Sequence, residues 1–234
     1  MLQVHICCRS IYYMKRISLF IIVCCIPFAV IQAQFITDSL SNRLLRTDLP
    51  PAERVTTMAL LAKSKSNTDT KNAIRIAEKA LLLCEQLRAP SRYKSFVYSI
   101  LAHLQFMNSD MKLAQMATDG AIWYGYLTTD RRIKGIAWFR KGWMQDLTGE
   151  PHEAEASYLQ ALKYLEGTEA YSYESFVYYY LAGNYGAWND MPRQQKNAQL
   201  CLQTARQSGD GDNLALAYEG LASYYLNVYI HAPL

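Results

Sequence analysis

The sequence has 234 residues, of which 51% are hydrophobic and 19% charged, a composition typical of a folded chain and not of a disordered one. Its formal net charge is +4, but Arg9, Lys15 and Arg16 supply three of those charges, so the chain after residue 33 is close to neutral and has no basic cluster that would predict nucleic-acid binding. With 18 Tyr but only 11 Gly and 7 Pro, turn signals are too sparse for a many-stranded β protein, which favours helices.

Residues 1–33 have the order of segments found in a secretory signal peptide. Lys15 and Arg16 precede an apolar run over residues 17–31, and small or polar residues around Ala33 follow. The run is 15 residues long, shorter than the roughly 20 that a membrane-spanning helix needs. We therefore expect cleavage near Ala33 and an exported, periplasmic or envelope-associated protein, with Met14 as a better initiator than Met1; retention as a membrane anchor is the weaker alternative.

Residues 34–52 predict a short helix followed by a linker. Leu40, Leu44 and Leu45 share one face of this helix, and Pro50 and Pro51 end it. We expect the segment to cap the repeats that follow.

One aromatic, apolar and small-residue pattern recurs along the chain after residue 52. Its clearest copies begin at Trp138, Tyr178 and Tyr218, and an earlier copy begins at Tyr98. Steps of 41, 40, 40 and 40 residues separate the position that is usually small, which is occupied by Leu61, Ala102, Gly142, Ala182 and Ala222. Such regular spacing predicts a helical-repeat array.

Each of the first four copies is followed by a second helical run with small residues at spacings of four and three. These positions are Ala73, Ala77 and Ala80; Ala114, Thr118 and Ala121; Ala154, Tyr158 and Ala161; and Gln194, Ala198 and Cys201. On a helix they share one face, where small side chains let a neighbouring helix approach closely. Polar or proline-containing turns are expected between the paired helices, at residues 67–70, 108–111, 148–151 and 189–192.

The pattern resembles the tetratricopeptide repeat, and Trp138, Gly142, Ala154, Tyr158 and Ala161 match that family best. The resemblance implies an all-α, right-handed superhelical solenoid of antiparallel helix pairs, with about four and a half repeats in a domain over residues 53–234 that is truncated in repeat five. The period exceeds the family's usual 34 or so residues. It resembles a variant of bacterial signalling proteins with extended second helices and linkers, which places linkers at residues 86–94, 127–134, 167–174 and 208–213.

The sequence contains no pattern typical of catalysis or metal binding. The four His residues are scattered, and neither a phosphate-binding loop nor a nucleophile motif is present. Cys84 and Cys201 lie at apolar positions of helical runs and are expected to be small buried residues. We therefore predict that the protein is not an enzyme and has no cofactor and no metal.

In repeats of this type the first helices line the concave side, which makes that side the candidate binding surface. The candidate peptide-binding residues are Phe96, His103, Phe106, Phe139, Trp143, Phe176 and Tyr179. Aromatic side chains are common anchors of binding interfaces, so an apolar or amphipathic segment is the expected ligand, and a C-terminal carboxylate is not. In the alternative interpretation, these aromatic residues pack against one another across a tightly wound superhelix.

The sequence thus predicts an exported scaffold that binds a protein or peptide through an aromatic concave groove. The alternative is a truncated sensory input domain of a membrane-bound signalling protein, of the histidine kinase or transcription regulator type, whose partner is a downstream signalling domain in a longer chain. Neither hypothesis involves nucleic acid or metal.

Overall fold

The computed structural model describes residues 34–230, and every regular element among them is an α-helix. Residues 34–45 form α1. The remaining helices are α2 (Pro51–Ser64), α3 (Thr70–Gln86), α4 (Ser91–Met107), α5 (Met111–Tyr126), α6 (Arg131–Leu147), α7 (Pro151–Leu165), α8 (Tyr171–Ala187), α9 (Met191–Ser208) and α10 (Gly211–Ile230). The predicted all-α fold is confirmed. The predicted signal peptide, residues 1–33, lies outside the described residues, as do residues 231–234.

Neighbouring helices pack in succession along the chain. The closest pairs are α2 with α3, α4 with α5, α6 with α7, and α8 with α9, and each pair packs on the next. The first helices of successive pairs, α2, α4, α6, α8 and α10, also contact one another in order. This arrangement is a helical solenoid, in which each repeat buries its apolar face against its neighbours. Among the described helices, none is long and apolar enough to cross a membrane.

The positions predicted to form the packing face of the second helices all lie in the core. Every one of the twelve positions is buried: Ala73, Ala77, Ala80, Ala114, Thr118, Ala121, Ala154, Tyr158, Ala161, Gln194, Ala198 and Cys201. Tyr158 is the largest of these side chains and is fully buried. It fits because Gly142 on the paired helix α6 has no side chain; a Cβ there would lie 2.7 Å from the Tyr158 ring.

The turn between paired helices has a repeated local structure. Ser109, Gly149 and Asn189 have φ values of 62°, 82° and 55°, the left-handed conformation that commonly ends a helix. The carboxylates of Asp110 and Asp190 then accept hydrogen bonds from backbone N–H groups in the first turn of α5 and α9. Such caps satisfy backbone donors that the helix leaves unpaired, which fixes where each second helix begins. The turns lie within two residues of their predicted positions.

The linkers between repeats are shorter than predicted. They comprise residues 87–90, 127–130, 166–170 and 209–210, because α4, α6, α8 and α10 begin several residues earlier than expected. At α6 the reason is local, since the side chain of Asp130 accepts a hydrogen bond from the Ile133 N–H and starts the helix there. The 40-residue period therefore comes largely from long helices and only in small part from the linkers.

Helix α1 is held against the first repeat by hydrogen bonds. Thr37 Oγ1 donates to Ser64 Oγ at 3.1 Å, and the guanidinium of Arg54 donates to the carbonyl oxygens of Leu44 and Arg46 at 2.9 and 2.7 Å. The predicted leucine face is only partly correct, because Leu45 is 79% exposed.

Candidate functional site

The first helices bring most of the predicted binding residues together. Phe96, His103 and Phe106 lie on α4, Phe139 and Trp143 on α6, and Phe176 on α8. With Tyr173 and Tyr180, which the sequence analysis did not include, they form what we call the inner cluster: Phe96, His103, Phe106, Phe139, Trp143, Tyr173, Phe176 and Tyr180. These residues come from three consecutive repeats.

The rings of the inner cluster are in direct contact. The Phe139 ring centroid lies 5.9 Å from that of Phe176, with nearly parallel planes, and 6.0 Å from that of Tyr180. The Trp143 ring lies 4.9 Å from Phe106 in an edge-to-face arrangement. Such pairs stabilise a packed interior beyond the burial of their apolar area.

The consequence of this packing is that the two central residues are almost inaccessible. Phe139 is 4% exposed and Trp143 is 5% exposed. Phe139 and Trp143 therefore have the arrangement of the alternative interpretation given above, in which the aromatic residues pack against one another. The other six members, Phe96, His103, Phe106, Tyr173, Phe176 and Tyr180, remain half-buried and form the accessible part of the inner cluster.

Tyr179 lies apart from most of the inner cluster. Its ring contacts Tyr180 edge to face at 5.3 Å, and its hydroxyl donates to Glu219 Oε1 at 3.0 Å. It also packs against the small core of Cys201, Ala205 and Ala217 near α10. Tyr179 therefore links α8 to α10 and does not lie beside Phe139.

Arg140 is buried beside the inner cluster, and the sequence analysis missed it. Its side chain is 9% exposed, and its guanidinium carbon lies 4.7 Å from the Trp143 ring and 5.3 Å from the Phe139 ring. Its Nε is buried without a hydrogen-bond partner, and no ion pair to Arg140 forms within residues 34–230. Burial lowers the pKa of this guanidinium. The repeat contained a signal for this burial, because the equivalent residues one period away are Ile100 and Tyr180.

A second basic side chain reaches the inner cluster from the other end of the array. Lys63 lies on α2, yet its Nζ is 5.6 Å from the Tyr173 ring and 6.0 Å from the Phe176 ring on α8. This contact joins the first and fourth repeats, which shows that the inner face is narrow at this point.

The carboxylate of Asp146, on the same helix as Arg140, is already paired. Tyr158 Oη donates to Asp146 Oδ2 at 2.6 Å, and Asn184 Nδ2 donates to Asp146 Oδ1 at 2.9 Å. Burial raises the pKa of this carboxyl, and the two hydrogen bonds oppose the shift. The network ties α6 to α7 and α8 and uses Asp146 structurally.

His103 is held neutral by its surroundings. Burial, with added repulsion from Arg140 and Lys63, lowers the pKa of His103 to about 4. The imidazole ring lies 5.8 Å from the Trp143 ring. Three basic side chains, Lys63, His103 and Arg140, thus lie on the inner face. His103 is the one that its surroundings keep neutral.

We expect His103 to make the protein less stable in acid. In the unfolded chain its pKa returns to about 6.5, so between pH 6.5 and 4 the unfolded state binds the proton that the folded state does not. Stability is therefore lost as pH falls through this window. At pH 4.5 the loss relative to pH 7 should be about 2 kcal/mol larger in the wild type than in His103→Asn, measured by urea unfolding. An equal loss in both proteins would contradict the burial of a neutral imidazole.

Among residues 34–230, no three His, Cys, Asp or Glu side chains come together as a group of metal ligands. Cys84 and Cys201 are buried, and burial raises the pKa of each thiol. The inner cluster therefore remains the candidate functional site, with a chemistry of aromatic contact and positive charge.

The fold and this site define the chain as a helical-repeat protein of the solenoid class. No protein-family model and no curated protein matches the sequence. A solved structure with the same overall fold is the crystal structure of BtubC (BKLC) from P. vanneervenii, which aligns with a TM-score of 0.57 over 86% of each chain at 17% identity. At that identity the similarity concerns the fold alone, and it supports the helical-repeat architecture.

Proposed function

We propose that this chain is an exported helical-repeat scaffold of the tetratricopeptide type, which binds a polypeptide segment on its inner face. The observation that carries the proposal is the inner cluster, which gathers aromatic side chains from three consecutive repeats and leaves six members half-buried. Partly exposed aromatic side chains around a packed centre are typical of binding hot spots. Export is proposed from the composition of residues 1–33, and the binding role requires no catalytic group.

The accessible part of the inner cluster suits an apolar or amphipathic segment. Phe106 and Phe176 lie on either side of the buried pair Phe139 and Trp143, which hold them in place. A rigid aromatic surface binds at low entropic cost, because its side chains are already ordered before the ligand arrives. A helix or strand that offers two or three apolar anchors would replace water over these rings.

The first test is a binding experiment with a defined probe. A phage-displayed library of random dodecapeptides is selected on the full chain, and affinities of the selected peptides are measured by fluorescence anisotropy. Replacing Phe106 and Phe176 together by Ala should weaken binding about 30-fold or more, the effect expected on losing a hot-spot contact of about 2 kcal/mol.

The matched control lies on the outer surface of α5. Trp123 and Tyr126 are 63% and 60% exposed, so replacing both by Ala removes as many aromatic rings away from the inner face. This control should bind the peptides within about twofold of wild type, and circular dichroism should show that both double variants remain helical. Selected peptides that bind equally to both variants, or a library that yields no peptide, would refute the proposed function.

A further inference from the structure

We propose that the inner cluster contains an anion-binding site centred on Arg140, which accepts the side-chain carboxylate of an aspartate or glutamate in the bound polypeptide. The inference rests on the proposed function and specifies the ligand chemistry of the same surface. It is carried by the burial of Arg140 without a counter-charge.

The first step is the unsatisfied state of Arg140. Its side chain is more than nine-tenths buried, and Nε has no hydrogen-bond partner. Contact with the Phe139 and Trp143 rings offsets part of the cost of burying the charge, but aromatic faces do not replace the hydrogen bonds that the guanidinium loses on leaving water. A buried arginine in this state is expected to gain from an anion that reaches its guanidinium.

The second step is that no side-chain carboxylate in the described part of the chain pairs with Arg140. All 20 Asp and Glu residues lie between Asp38 and Glu219, so residues 1–33 and 231–234 contain none. Asp146, on the same helix as Arg140, already accepts from Tyr158 and Asn184. The described residues therefore leave Arg140 without a counter-charge, and a bound polypeptide is the source that we propose for it.

The third step is the local potential. Lys63 contacts the rings of Tyr173 and Phe176, and Arg140 contacts the rings of Phe139 and Trp143, so both cations border the inner cluster. Both also contribute to the lowered pKa of His103. The surrounding rings exclude water, and the attraction between opposite charges grows as the local dielectric constant falls. An anion entering here meets the buried charge of Arg140 and, on the exposed side, that of Lys63.

The shape of the donor fits the side-chain carboxylate of a polypeptide ligand. A guanidinium is planar, and its donors match the two oxygens of a carboxylate in a bidentate pair. The Arg140 guanidinium lies beside the Trp143 ring. Lys63, the second cation, contacts the Tyr173 ring from the exposed side of the inner cluster. A phosphoryl group fits the same planar donors, so the test below compares the two anions directly.

The test uses the peptides selected in the binding experiment. Peptides that bind the wild type should share an Asp or Glu at a fixed distance from their apolar anchors. Replacing that residue by Gln in one peptide should weaken its binding to the wild type about 30-fold, since truncating one partner of a buried ion pair is costly. With Arg140→Met the Glu and Gln peptides should bind equally.

Two further variants keep the result interpretable. Arg132→Met removes an exposed arginine from the same helix and should leave the preference for the Glu peptide unchanged. Arg140→Lys keeps the charge but loses the planar fork, and should reduce the preference for Glu about tenfold. Arg140→Lys also provides the test if Arg140→Met fails to fold, which thermal unfolding monitored by circular dichroism would reveal.

The outcomes separate this inference from the proposed function. Selected peptides that lack acidic residues, but still need Phe106 and Phe176, would overturn the anion site and leave the scaffold function standing. A phosphoserine peptide that binds the wild type more tightly than its Glu counterpart would overturn the carboxylate assignment. A library that yields no peptide would overturn both.

Discussion

Replacing Trp143 by Ala should lower the free energy of unfolding by about 3–5 kcal/mol, the usual cost of truncating a large buried aromatic residue. Trp143 is 5% exposed and packs against Phe106, His103 and the guanidinium of Arg140. Its removal leaves a cavity that the rigid surrounding helices cannot fill by small movements. Urea unfolding followed by circular dichroism measures the change.

A second tryptophan in the same protein provides the control. Trp123 on α5 is 63% exposed, so Trp123→Ala should change the free energy of unfolding by less than about 0.5 kcal/mol. If the two variants lose the same small amount, Trp143 is not a packed residue and becomes available again as a direct ligand contact. A large loss for Trp143 alone means that its effect on binding cannot be separated from its effect on folding, which is why the binding test uses Phe106 and Phe176.

The second large effect is expected at Gly142, where α6 meets α7. A Cβ at this position would lie 2.7 Å from two atoms of the Tyr158 ring and 3.1 Å from the backbone oxygen of Ala154. Gly142→Leu forces the two helices apart or displaces the fully buried Tyr158. We expect a loss of about 3 kcal/mol in the free energy of unfolding, at the upper end of the usual range for overpacking.

Gly183 on α8 is the matched control for Gly142. Both are helical glycines in the first helix of a repeat, but an added Cβ at Gly183 would meet no atom within 4 Å. Gly183→Ala should therefore stabilise the protein, by up to about 1 kcal/mol, because alanine loses less backbone freedom on folding. If Gly142→Leu is tolerated as well as Gly183→Ala, the close approach of α6 and α7 is not a requirement of the fold.

The repeat architecture could be predicted because it depends on short-range patterns. Small residues at spacings of four and three mark the face where two helices meet, and all twelve such positions are buried. Turns with a capping aspartate, such as Asp110 and Asp190, have a local signature that one sequence is enough to reveal. The linkers were placed less well: the capping role of Asp130 at the start of α6 was overlooked, and no side chain caps the start of α8.

The accessibility of the candidate site could not be predicted in the same way. Whether Phe139 faces solvent or another ring depends on how far the array curves, and curvature accumulates from small rotations between successive repeats. The repeat pattern of the sequence does not give the total curvature that these rotations produce. Arg140 was missed because a basic residue on a helix is normally exposed. Aligning it with Ile100 and Tyr180 would have shown that its position is apolar in the neighbouring repeats.

The contact between Lys63 and the rings of Tyr173 and Phe176 has a consequence for how a ligand arrives and leaves. In an extended array each repeat touches only its neighbours, so the inner face is open along its length. Here a side chain of the first repeat bridges to the fourth. A segment that reaches Arg140 from this side has to displace the Lys63 side chain, which is exposed and can move without any change in the helices. We expect this step to slow both the arrival and the departure of the captured segment.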